Sequence, residues 1–363
     1  MYGRALRAQE EKEKTKRVIL IMKRVLIIVS LIISIVFVGA CGKKVTIENA
    51  SASNDSKKLK IVTTIYPEYD WVSNIIKGKE EKFDLSILMT SGVDLHNFQP
   101  SAKDILDIGT ADLFIYVGGE SDKWADGAIR QAANKNLKSI NLMELLKDKV
   151  KVEELKEGME EEEHHHDEEE GEEHEGEEEH HEEEIEYDEH VWLSLENAMI
   201  VCADLKNEIS SLDSANANIY ENNLTAYVAE LKNLNEEYKN VVNGAKRKVL
   251  LFGDRFPFRY MVDDYGLNYF AAFKGCSAET EASFKTIKFL ADKLGEENLP
   301  YVMKIERSDD KIARAVIENS SKKDATIETM YSIQAVSSDD MKNGETYLSY
   351  MKKNLEVLKK VLN

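Results

Sequence analysis

Side chains that suit cation capture are bunched in one part of this 363-residue chain. Between Glu157 and Glu189 lie 21 acidic residues and six of the eight histidines, His164, His165, His166, His174, His180 and His181, with no lysine or arginine. Imidazole nitrogens are favoured ligands for zinc and related metals, and a dense carboxylate field raises the local cation concentration. The tract stops at His190, where DEHVWLSLENA resumes the apolar and polar mixture of a folded segment. A flexible metal-attracting loop thus leads into a candidate ligand; the plain alternative is a solvated charge run. The remaining histidine, His96, stands in SGVDLHNFQPS among the turn-formers Asp94, Asn97 and Pro100. A side chain in such a loop can face a cleft, although a lone loop histidine is more often simply at the surface.

Other chemistries lack their usual signals. No H-E-x-x-H pair is present to signal a zinc hydrolase, and no P-loop is present for ATP hydrolysis. The net charge of −20 is matched by the tract's 21 acids, so the rest of the chain is nearly neutral, without a broad basic face for nucleic acid or an anionic membrane. Beyond Cys41 the only cysteines are Cys202 and Cys276. Cys202 falls on the apolar face of a helix, and two free thiols fit the pattern better than a disulfide scaffold.

The elements that must position these residues follow an export segment. Residues 1–21 read as an upstream extension and 22–40 as a signal peptide, with Lys23 and Arg24 before an apolar run from Val25 to Val38. That run is short for a membrane span, and its end at Val38-Gly39-Ala40-Cys41 resembles a bacterial lipobox. The resemblance implies lipidation at Cys41, with 41–57 as a polar tether. From Leu59 short β-branched runs alternate with helical segments, among them SAKDILDIGTA with capping-box spacing between Ser101 and Asp104. Apolar strands separated by helices predict an α/β fold with mostly parallel sheets. In 58–213, which contains the acidic loop 157–189, they form a first lobe, and in 246–363 a second. Between them, in 214–245, Tyr220, Leu224, Tyr227, Leu231, Leu234, Tyr238 and Val241 recur every three or four residues, predicting one long linking helix with Gly244 near its end.

In this order, TTIYPEYDWVSNI, GVDLHNFQPSAKDI, ADLFIYVGGESDKW, the acidic His-rich loop, DEHVWLSLENA, YENNLTAYVAEL and GETYLSYMKKNLEVLKK resemble the metal-specific solute-binding proteins of bacterial ABC importers. Members of that group carry zinc or manganese between two lobes joined by one long helix. The resemblance covers about Leu59 to Leu362. It implies an extracytoplasmic receptor, not an enzyme, that acts as a monomer and delivers its ion to an ABC permease. His96 and His190 correspond to two metal ligands from the first lobe. The usual second-lobe ligand position holds Arg255, which cannot ligate a cation, and KIERSDDKIA aligns Asp310 with an aspartate ligand of the manganese-binding members. Glu306 and Asp254 are substitute ligands, and Arg255 is expected to point away from the ion or to pair with a carboxylate that orients the site. Zinc is favoured, with manganese as the alternative for a carboxylate-rich second lobe. The competing functions are a cell-surface metal buffer or adhesion protein, in which the tract itself is the active part, and a secreted zinc hydrolase.

Overall fold

The computed structural model describes residues 57–90, 92–160, 186–277 and 281–363. The export signal, Cys41 and the six tract histidines lie outside them. Strands β1 (Leu59–Thr63), β2 (Phe83–Ile87), β3 (Leu113–Tyr116) and β4 (Lys138–Asn141) pair in parallel in the order β2-β1-β3-β4. Strands β5 (Val249–Phe256), β6 (Asn268–Lys274), β7 (Tyr301–Ile305) and β8 (Thr326–Met330) repeat the arrangement as β6-β5-β7-β8, again parallel. The fourth strand of each sheet, KSIN and TIETM, lies at an edge and is too polar to stand out as an apolar run.

Helices cover the sheets of the first lobe: α1 (Tyr66–Ile75), α2 (Ala102–Gly109), α3 (Trp124–Gln131), α4 (Leu142–Leu145) and α5 (Leu195–Leu212). The linking helix is α6 (Ala217–Gly244); the second lobe carries α7 (Arg259–Tyr265), α8 (Phe284–Glu296), α9 (Lys311–Asn319), α10 (Ser338–Lys342) and α11 (Tyr347–Val361). Starts are chemically marked: the Ser101 hydroxyl accepts from the Asp104 amide while the Asp104 carboxylate accepts from the Ser101 amide, and Ser194, Ser283 and Thr346 cap α5, α8 and α11.

Helix α6 has 28 residues and is about 42 Å long. Its apolar stripe is buried as the three-and-four spacing requires, except that Val242, not Val241, closes it. The Tyr227 hydroxyl donates to Asp70 of α1, the Tyr238 hydroxyl donates to the Met351 carbonyl of α11, and Asn235 accepts from Tyr265 of α7. The stripe is therefore tied to both lobes. One continuous apolar core runs through both lobes and α6, with a smaller cluster on the far face of each sheet. Further bonds cross directly: Trp192 Nε1 donates to the Ser332 carbonyl at 2.7 Å, and the hydroxyls of Tyr347 and Tyr260 donate to the carbonyls of Trp192 and Asp188. Among the described residues no helix is long and apolar enough to cross a membrane.

Candidate metal centre

The carboxyl ends of the two sheets deliver loops to one cleft, the position where open α/β sheets bind ligands. After β2, Asp94 accepts the His96 amide with Oδ1 and so fixes the short 3-10 turn Leu95–Asn97 that carries His96. After β4, the chain passes 152–160 and returns at 186–190, where an antiparallel bridge between Val152 and Tyr187 clamps the two ends together. The Asp188 carboxylate then accepts from both the amide and Nδ1 of His190 through the same oxygen, at 2.8 and 2.9 Å. Both ends of the acidic tract are thus built into the fold: Met159, Asp188 and Glu189 are buried. The sequence expectation of a flexible loop over 157–189 is corrected at both ends.

The consequence is that the two imidazoles meet nitrogen to nitrogen. His96 Nε2 lies 3.2 Å from His190 Nε2, with the rings tilted at 59°. Zinc–imidazole bonds at a tetrahedral centre would hold two ligand nitrogens about 3.3 Å apart. Each ring is anchored through its other nitrogen, His190 Nδ1 to Asp188 and His96 Nδ1 to the Ser121 hydroxyl at 2.8 Å, so the two Nε2 atoms are left to face each other. Glu189 backs this arrangement, accepting the Ser121 amide at 2.9 Å with its other oxygen 3.6 Å from His96 Nδ1. Glycine at position 119, with φ of +76°, is required here because a Cβ would lie 2.4 Å from that carboxylate.

Charge distinguishes the two rings. Burial, then the neighbouring His190, holds the His96 imidazole down to about 3. Burial also works against a charge on His190, but Asp188, followed by Glu153 and Glu189, outweighs it and raises that ring above its ordinary value. A site that raises one buried imidazole with surrounding carboxylates also favours a cation at the same point.

Cys276 joins this pair from the second lobe. Its sulfur and the two histidine nitrogens lie within 4.8 Å of one another, and they are the described histidine, cysteine and acidic residues that cluster as metal ligands. The loop after β6 reaches the imidazoles through Gly275, where a Cβ would meet the Phe256 carbonyl at 2.9 Å and His190 Cε1 at 3.2 Å. Glu153 grips the turn by accepting the Gly275 amide at 2.7 Å and the Cys276 amide at 3.4 Å. In the sequence Cys276 reads only as a free thiol.

The three acidic residues expected as second-lobe ligands are engaged elsewhere. Asp310 sits at the start of α9, half-buried, and pairs with Arg314 one turn later, so the expectation that it joins the two histidines is corrected. Its carboxylate faces a surface hollow with Lys304 and Ile317, because α9 begins at Lys311 and turns the side chain outward. Glu306 accepts from the amides of Ser332 and Ile333 and the Ser332 hydroxyl, all between 2.7 and 2.9 Å. Asp254 accepts from the amides of Ile305 and Arg255 across the ends of β5 and β7. Both carboxylates hold loop backbone in place, and both also line the cavity that Asp94, Arg255 and Gln334 share.

Glu306 holds a strained segment in place: Ile333, a β-branched residue, has φ of +63°. The next residue, Gln334, points its amide oxygen at His190 Nε2, 3.2 Å away, while its amide nitrogen donates to Asp94 Oδ2 at 2.8 Å. Arg255 donates to the same Asp94 oxygen and to the Ser277 carbonyl. Burial works against the charge on Asp94, but Arg255 and His96 keep its carboxyl below the usual range. Arg255 therefore braces the His96 turn from the opposite lobe. Asp94, Arg255 and Gln334 also line a neighbouring cavity of about 430 Å³.

The model of a known family, described as zinc-uptake complex component A, periplasmic, matches residues 61–361. The high-affinity zinc uptake system protein ZnuA of Bacillus subtilis (strain 168) is 30% identical over 323 residues, which cover 89% of this chain and 92% of that protein. The zinc-binding protein AdcA of Streptococcus pyogenes serotype M6 is 28% identical over 305 residues, 83% of this chain but 56% of AdcA, so the chain spans about half the length of that relative. Among solved structures, the metal-dependent lipoprotein YcdH from Bacillus subtilis matches with a TM-score of 0.64 at 26% identity, covering 84% of this chain and 99% of YcdH. The Zn(II)-bound ZnuA-like domain of Streptococcus pneumoniae AdcA has the same fold, with a TM-score of 0.63 at 24% identity over 84% of this chain and 99% of that domain. The two repeated parallel sheets, the long helix between them and a family match over more than four-fifths of the chain lead to one conclusion: this protein belongs to the family of the periplasmic component A of zinc-uptake complexes.

Proposed function

We propose that this chain is an extracytoplasmic receptor that captures zinc between its lobes and hands it to the permease of an ABC importer. It acts as a monomer tethered by lipid at Cys41. The observation that carries the reading is the approach of two imidazole Nε2 atoms to 3.2 Å, each ring locked through its Nδ1 side. Zinc is the cargo that this donor set suits, and the zinc-binding relatives support it; manganese, which prefers oxygen donors, suits it less. The tract histidines His164, His165, His166, His174, His180 and His181 serve as auxiliary capture groups that raise the supply of ion to the cleft. Ties between the lobes favour release by small loop movements over wide opening.

Zinc titration against a competing chromophoric chelator tests this. His96→Ala and His190→Ala should each weaken tight binding by more than the roughly 100-fold that an outer hydrogen-bonding partner is worth. Asp310→Ala should leave it unchanged, and so should deletion of 161–185. Wild-type affinity in either histidine variant would sink the reading. Loss of all tight binding on deletion of the tract would make the tract a cell-surface buffer in its own right.

A further inference from the structure

We propose that Cys276 binds the captured cation as a thiolate, and that this sulfur makes the cleft select zinc and softer ions over manganese and other hard ions. The inference rests on the reading of the cleft as the capture site and names the second-lobe ligand that Arg255 leaves unassigned.

Three observations carry it. First, the sulfur and one ring nitrogen of each histidine all lie within 4.8 Å of one another, and the two Nε2 atoms are 3.2 Å apart. In a tetrahedral zinc site, bonds of about 2.05 Å to nitrogen and 2.3 Å to sulfur separate those ligands by roughly 3.5 Å, so a side-chain movement of at most about 1.3 Å closes the set. Second, the turn that presents Cys276 is built for that approach. Gly275 admits the backbone against His190, and Glu153 accepts both amides of the Gly275-Cys276 turn. Third, the second-lobe carboxylates expected as ligands already have partners: Asp254 and Glu306 accept backbone amides and Asp310 pairs with Arg314. The Gln334 amide oxygen, oriented by Asp94, faces the same point and supplies a neutral fourth donor.

Two neutral imidazoles, a thiolate and an amide oxygen make a nitrogen–sulfur site. Thiolate ligands select zinc and soft ions, whereas manganese prefers carboxylate and water. On binding, the thiol S–H bond breaks, a sulfur–metal bond forms, and the proton leaves to solvent; no electron is transferred.

Cobalt(II), a spectroscopic stand-in for zinc, tests the assignment on the full chain. With one equivalent added, the wild type should give an intense sulfur-to-cobalt charge-transfer band, absent in Cys276→Ser although Cys41 and Cys202 remain. Zinc affinity should fall at least about 100-fold in Cys276→Ser, and the preference for zinc over manganese at least about tenfold in Cys276→Asp. Cys276→His restores a nitrogen donor and should bind zinc tightly without the band, which separates loss of a ligand from loss of the fold. Tight cobalt binding that depends on His96 and His190 but shows no such band, or a band that survives in Cys276→Ser, overturns the thiolate while leaving the capture site standing. No tight binding by the wild type overturns both.

Discussion

At the scale of single residues, the centre is defined by what holds each imidazole from behind. Asp188 uses one oxygen for both the amide and Nδ1 of His190, fixing ring and backbone together and leaving Nε2 aimed at His96. A carboxylate behind a ligating histidine raises its basicity, and loss of such a partner typically lowers metal affinity about 10–100-fold. Asp188→Asn retains an acceptor but removes the charge, so zinc affinity should fall about tenfold while the far-UV circular dichroism spectrum is unchanged. Chelator competition measures it, and an unaltered dissociation constant would count against a cation at this point. The two histidines were legible in the sequence because they stand outside the acidic tract in ordered segments. Cys276 was not, since nothing local separates a cysteine beside an imidazole from one in a core. Asp310 failed for the converse reason: its spacing from Glu306 matched, but the start of α9 turns it toward Arg314.

At the scale of elements, the strands end where the chemistry begins. Strand β5 changes register between Phe252 and Arg255, and Gly253 allows it to pass Ala313, where a Cβ would meet backbone at 2.6 Å. The residues beyond that irregularity, Asp254 and Arg255, are the ones that tie β5 to β7 and to the His96 turn. Helix α6 fixes the spacing of the lobes by burying one side chain per turn against both. Leu231 is fully buried at its middle, so Leu231→Ala should lower the unfolding free energy by about 2–5 kcal/mol. A urea titration reads that loss directly. Zinc affinity measured where the variant is fully folded should match the wild type, because the stripe holds no ligand.

At the scale of the whole molecule, buried carboxyls make the metal-free chain pH-sensitive. Burial, then the charge of Asp122, raises Glu68 to about 8, and burial raises Asp122 itself to about 7. Both lie at the carboxyl ends of first-lobe strands, accepting backbone amides at Thr64, Ile65, Val117 and Gly118. An acid raised on folding contributes stability that is fully present below its unfolded value and is lost as pH rises through the folded value. Between pH 6.5 and 8 the metal-free protein should therefore become easier to unfold. His96, held down to about 3, is neutral in the folded state throughout, and its unfolded imidazole is partly protonated only near pH 6.5, where it opposes the trend slightly; the raised His190 acts in the same sense as the carboxyls. Urea midpoints across this range should fall in the wild type and fall less steeply in Glu68→Gln; a flat wild-type profile would contradict the assignment.

The sequence by itself determined the alternation of strand and helix, the long amphipathic helix and the two histidines, because periodicity and loop chemistry are local properties. It also pointed to a break in the second lobe at Arg255. Only the tertiary structure decided how that break is resolved, since the groups involved come from loops as much as 240 residues apart and meet through two sheets whose carboxyl ends face one cleft. There Arg255 finds Asp94, Glu306 and Asp254 are taken by backbone amides, and Cys276 and Gln334 reach the imidazoles. Ligation depends on where lone pairs converge in space, and residue type and spacing along the chain do not specify that across two lobes.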